Sequence, residues 1–102
     1  MFRNIMKDKF LLSAEIPAVV RSLKNSVDDD YLLSYAEQLQ ECHYPADRET
    51  MLYLINKVID RFIVFVESVD KSNIFYNEQL NRQNMIQLKK IKDILLGEHS
   101  PT

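Results

Sequence analysis

Glycine is almost missing from this 102-residue chain, which contains Gly97 and no other, with three prolines and no tryptophan. A β-rich chain of this length turns about every ten residues and draws for those turns on glycine, above all in Asn-Gly and Pro-Gly pairs. Neither pair occurs, so an all-β fold is excluded. A glycine loop that cradles phosphate is excluded on the same ground. Cysteine is equally scarce. Cys42 has no second cysteine with which to form an internal disulfide, and no CxxC or other zinc-ligand spacing exists. A reducing compartment follows, and the expected localisation is cytoplasmic.

Long hydrophobic runs are also lacking. The densest apolar stretch, "MLYLINKVIDRFIVFVESV", is broken by Lys57, Asp60, Arg61 and Glu67, whereas a membrane span needs about 20 mostly apolar residues. The basic "MFRNIMKDK" followed by "FLLSA" imitates a secretory signal, but Glu15 and Pro17 cut the apolar run short. No charge of one sign dominates. The net charge is −2, with +3 on residues 1–27, −6 on 28–50 and +1 on 72–102. An acidic middle can steer partners, but it is not the broad basic face of a nucleic-acid binder.

What is present is helical. Leu, Ile, Lys, Glu and Gln fill long glycine-free stretches, and 46% hydrophobic with 27% charged residues is ordinary for a globular domain. The fold class expected is all-α: a single domain over 1–102, a bundle of about four helices, one short and N-terminal and three longer. Phe2, Ile5, Met6 and Phe10 take helical spacing over about 2–12 and are expected to pack on the bundle. Ser13 is the expected N-cap of the next helix, with Pro17 in its first turn and Ile16, Val19, Val20, Leu23 and Val27 as its buried stripe. Ser26 with Asp29 has the spacing of a capping box, and the acids of "DDD" suit the positive end of the helix that follows. Leu32, Tyr35, Ala36 and Leu39 form that helix's apolar face, Pro45 ends it, and Asp47 caps the next.

Residues 51–69 carry the strongest signal. Met51, Ile55, Val58, Phe62, Phe65 and Val69 are spaced 4, 3, 4, 3 and 4 apart, a heptad seam, with Leu52, Ile59 and Val66 beside it. That face is wider than one neighbouring helix needs. A second copy or a partner is therefore expected at Phe62, Phe65, Val66, Val69 and Ile59. "DKSN" breaks the pattern and offers Ser72 and Asn73 as caps for a last helix. That helix runs to about Leu96, is apolar along Met85, Leu88, Ile91 and Leu95, and ends at Gly97 before a loose tail over 98–102.

Chemistry is hard to find. "ECHYPADRET" sets Cys42 beside His43, but adjacent residues at a helix end point in different directions, so the pair is not placed for nucleophilic catalysis. The segment reads as a helix–loop–helix joint. No GxSxG or HExxH motif exists, and the triple aspartate lacks the glycine and distal glutamate of a calcium loop. The expectation is no enzyme, no metal and no cofactor. Residues 31–66 resemble two groups in pattern, the immunity proteins of enterocin type and the small enterobacterial connector proteins of biofilm regulation. The shared features are an amphipathic helix, a polar loop and a long apolar helix, with apolar matches in "MLYLINKVID". Many helical proteins share this pattern, and it assigns no family.

The function expected is that of a small protein-binding regulator or adaptor of bacterial or phage style, working through helical surfaces, with a homodimer as one of its assemblies. Asp28, Asp29, Asp30, Glu37 and Glu41 are the acidic surface candidates. No nucleic-acid or membrane partner is expected. The alternative is a DNA-associated regulator that uses Arg82, Lys89, Lys90 and Lys92 of the last helix.

Overall fold

Four short polar side chains stand where the four helices begin. In the computed structural model, which describes residues 4–73 and 76–97, Asn4 precedes α1 (Ile5–Ser26) and Asp29 precedes α2 (Asp30–Glu41). Asp47 and Asn77 precede α3 (Arg48–Ser68) and α4 (Glu78–Leu96). Asn4, Asp29 and Asn77 each accept a hydrogen bond from the backbone N–H three residues on, at 2.9, 3.1 and 3.0 Å. Such a bond satisfies one of the orphan donors of a first turn and contributes about 1 kcal/mol. Asp47 turns the other way and accepts from the His43 N–H at 2.7 Å, tying the α2–α3 joint to itself. At the far end, Gly97 takes the left-handed conformation (φ 78°) and its N–H closes onto the Ile94 carbonyl at 3.0 Å. A side chain at that position would meet a steric penalty that glycine lacks.

The fold is all-α, an antiparallel bundle in which α1 packs on α2 and α4, and α3 packs on α2 and α4. Its centre is Leu23, Leu32, Ile55, Val58, Phe62, Leu88, Ile91 and Leu95, all fully buried. Each such side chain taken from water contributes about 1.5–3 kcal/mol. The expected seam of α3 is the heart of this core, with Phe62 and Phe65 stacked at a centroid distance of 6.1 Å.

Three expectations are corrected. The first helix is long, and no break separates a short N-terminal helix from a second one at Ser13. Ser13 is exposed inside α1, its hydroxyl donates to the Phe10 carbonyl at 2.7 Å, and Pro17 lies in the helix interior. An interior proline costs about 3 kcal/mol. The buried line of Leu12, Ile16, Val19, Val20 and Leu23 crosses it without interruption and outweighs that cost. Ser26 is the last residue of α1 and Asp29 is the cap of α2, because the intervening residues run extended after Val27. Ser72 and Asn73 are not the N-cap of α4, which is Asn77. Asp70 holds the Ser72 N–H and hydroxyl at 2.9 Å each in a local turn, and α4 starts later, at Asn77. Phe2 and the expected tail over 98–102 lie outside the described residues.

Candidate functional site

The seams between helices differ in chemistry, and openings remain at two of them, a cavity of about 330 Å³ between α1 and the α2–α3 joint and a larger groove between α3 and α4. Where α1 meets α4, polar groups pair. Ser22 donates to Asn84 Oδ1 at 2.7 Å, Asn84 Nδ2 reaches Ser26 Oγ at 3.4 Å, and Ser26 donates to the Ser22 carbonyl. Further along, Gln87 and Lys90 donate to the two carboxylate oxygens of Glu15, both at 2.9 Å. The Lys90 bond pulls the Glu15 carboxyl below its usual range; burial works against it and Gln87 adds to it. Where α2 meets α3, Arg61 grips Asp29 through Nε at 3.2 and 3.1 Å and Nη2 at 3.0 Å, and its guanidinium lies 5.0 Å from the centroid of Tyr31. Burial alone would raise the Asp29 carboxyl. The Leu32 N–H and the Arg61 contacts outweigh burial and hold it low. At the other end of α3, Arg48 Nε donates to the Leu95 carbonyl at 2.7 Å and secures the last turn of α4.

Between the C-terminal half of α3 and the N-terminal half of α4 the helices leave a groove of about 500 Å³. Phe62, Ile63, Val66 and Met85 give it an apolar lining, to which Tyr76 adds a ring, and Glu67, Lys71, Glu78 and Arg82 bring both signs of charge. Asn81 belongs to the same lining and is only 5% exposed. Its carboxamide nitrogen and oxygen are both buried without a hydrogen-bond partner. An amide so placed costs about 1–3 kcal/mol relative to one that is satisfied. Ile63, in the lining, is 39% exposed, and Ile86, next to Met85 in sequence, is 62% exposed.

The structure disperses the residues that the sequence grouped. Phe62, Phe65 and Ile59 are buried in this chain's own core, and Val66 and Val69 are half-buried against it. The wide apolar face of α3 is used by two neighbours, α2 and α4. Only Val66 and the edge of Phe62 reach the groove. The acidic candidates do not form one patch. Asp28, Asp30 and Glu41 are exposed, but Asp30 and Glu41 terminate opposite ends of α2. Asp29 is committed to Arg61, and Glu37 pairs with Lys24 at 2.8 Å. Of the basic candidates on α4, Lys90 is tied to Glu15 and Arg82 edges the groove.

Cys42 and His43 both line the cavity of about 330 Å³ between α1 and the α2–α3 joint, and they differ in exposure. Cys42 ends α2, half-buried, with its thiol donating to the Gln38 carbonyl at 3.4 Å, while His43 is exposed. Burial first, and then the charges of Asp47 and Glu41, raise the Cys42 thiol above its ordinary range. A thiol held protonated is a poor nucleophile. Among the described residues no cluster of His, Cys, Asp or Glu can hold a metal, and no helix is long and apolar enough to cross a membrane.

The sequence did hold a sign of Asn81 and Asn84 that polarity obscured. They continue the line of Leu88, Ile91 and Leu95 backwards at spacings of 3, 4, 3 and 4, and so belong to the inner face of α4. Tyr44 gave no such sign, since its burial depends on how the joint folds back onto α1. Comparison of the chain with protein-family models, curated proteins and solved structures finds no match.

Proposed function

We propose that the protein is a non-enzymatic regulator or adaptor that receives an apolar segment of another protein in the groove between α3 and α4. One observation carries this reading: an apolar cleft large enough for several side chains, with the unpartnered carboxamide of Asn81 in its lining. A cleft of a few hundred Å³, mostly apolar and with few polar groups, is the usual form of a recognition site. Asn81 offers both a donor pair and an acceptor. An apolar segment bearing an amide or hydroxyl answers both requirements.

Of the cations named for the DNA-associated alternative, Lys90 is paired with Glu15 and Arg82 stands at the edge of the groove. A mobility-shift assay at about 50 mM salt, where phosphate contacts are strong, is expected to show no duplex complex. The groove itself is tested by placing a photo-crosslinking residue at Ile63 or at Met85 and irradiating cells of the natural host. The expected result is one discrete protein adduct from both positions and none from exposed Asp60. Absence of any adduct from the groove positions overturns the proposal.

A further inference from the structure

The first turns of α1 were expected to lay their apolar side chains on the bundle, and they do not. Met6 is 77% exposed and Phe10 74% exposed, one turn apart on the same face, and Ile5 is 46% exposed. Charge is sorted around them. Of the two acids of α1, Asp8 is turned inward, 0% exposed, and accepts from the Tyr44 hydroxyl at 3.3 Å. Glu15 is held by Lys90 and Gln87 of α4. Lys7 and Lys9, on either side of the Met6–Phe10 line, remain exposed, as do Arg21 and Lys24, the last with Glu37 beside it. Although the chain carries a net −2, the outer face of α1 presents cations and apolar surface together.

We propose that this face of α1 is a peripheral membrane contact for anionic phospholipid, with Lys7 and Lys9 at the headgroups and Met6 and Phe10 below them. Two arguments favour lipid as the occupant. Basic residues flanking an apolar line are the arrangement by which helices lie in a bilayer interface, where headgroup charge and acyl chains are met together. Side chains about three-quarters exposed stand out from the surface, so whatever receives them must close around them, and a fluid interface does so without a preformed pocket. No described helix is long and apolar enough to cross the bilayer, so the contact is superficial. This site is separate from the α3–α4 groove and does not depend on it.

Vesicle flotation tests the assignment, using the full chain with phosphatidylcholine vesicles containing about one third phosphatidylglycerol. The wild type is expected to float with these vesicles, and to remain below with pure phosphatidylcholine or at about 1 M salt, where screening acts within about 3 Å. Each basic residue at an anionic surface is worth about fivefold in partition, so Lys7→Glu with Lys9→Glu is expected to lower binding more than tenfold. Met6→Ser with Phe10→Ser is expected to lower it at least about tenfold, with an unchanged helical spectrum, because neither side chain is in the core. The proposal is overturned if the wild type does not float with anionic vesicles, if it binds neutral ones equally, or if both double variants float as the wild type does. Retention on polyglutamate without flotation would give the face to an acidic polypeptide and overturn it as well.

Discussion

Asn81 and Asn84 sit one turn apart on the inner line of α4 and meet opposite fates. Asn84 is bonded to Ser22 and Ser26 across the α1 seam, whereas both polar atoms of Asn81 lie buried and unanswered. Replacing Asn81 with Leu removes a desolvated amide and adds apolar contact beside open groove, so urea unfolding is expected to show a gain of about 1–3 kcal/mol. Replacing Asn84 with Leu takes the acceptor from the Ser22 hydroxyl, while Ser26 keeps its bond to the Ser22 carbonyl, and is expected to lose about 1–2 kcal/mol. A loss for Asn81→Leu equal to that for Asn84→Leu would show that both amides are satisfied. At Cys42 the raised thiol sets a different expectation. Its alkylation by iodoacetamide at neutral pH is expected to be slower in the native protein than in urea, and a faster native reaction would reverse the reading of the joint.

Helix boundaries were legible where a cap residue and the apolar period agreed, and illegible where they conflicted. Asp47 and Gly97 stand at the termini that the sequence indicated. Pro17 misled because its local signal is a helix start, while the burial of Leu12 through Leu23 decides the outcome over a longer range. That conflict has a measurable residue. Pro17→Ala restores a donor for the Ser13 carbonyl and removes the ring clash, so it is expected to stabilise α1 by about 1–3 kcal/mol, the unfolded-state entropy of proline offsetting part of the gain. Thermal melts compare it with the wild type, and a lower Tm would contradict an uninterrupted helix. On α2, Asp29→Ala removes a cap and a partly buried Arg61 contact, with an expected loss of about 1–2 kcal/mol.

At the scale of the whole molecule the core was readable and its surfaces were not. The heptad line of α3 is buried from Met51 to Phe65 as the spacing predicts, with Val69 half-buried beyond the helix end, because a hydrophobic period specifies which face turns inward. It does not specify how many neighbours share that face, which within this chain is shared by α2 and α4. Phe62→Ala is accordingly expected to cost about 3–5 kcal/mol of stability in a melting experiment. The exposure of Met6 and Phe10 was hidden for a related reason: on one continuous α1 they fall off the buried line of Asp8, Leu12, Ile16 and Val19, which a separate short helix would not have to follow. Stability also carries a pH signature. Glu15 and Asp29 both have folded-state carboxyls lowered from their usual values. Their stabilisation is therefore complete above the usual carboxylate range and is lost as pH falls through the lowered values. Unfolding free energy measured in a pH series is expected to decline on that acid side, and Glu15→Gln to flatten the decline. An equally steep decline in that variant would assign acid lability elsewhere.

Among the described residues each helix packs on two others, and the seam that closes the ring joins the first helix to the last. In kinetic terms this makes the α1–α4 seam the final latch. Consecutive helices find each other across short connections, but α1 and α4 meet only after the greatest loop-closure entropy has been overcome, so their polar pairs form late. Contacts absent from the transition state act on the unfolding rate alone. Ser22→Ala is therefore expected to accelerate unfolding and leave refolding nearly unchanged in a chevron analysis, whereas Leu32→Ala in the α2–α3 pair slows refolding. Slower refolding of Ser22→Ala would place the latch at the start of folding. When the latch closes last, the lifetime of the native bundle is set at Ser22, Asn84 and Glu15, polar groups beside the apolar centre.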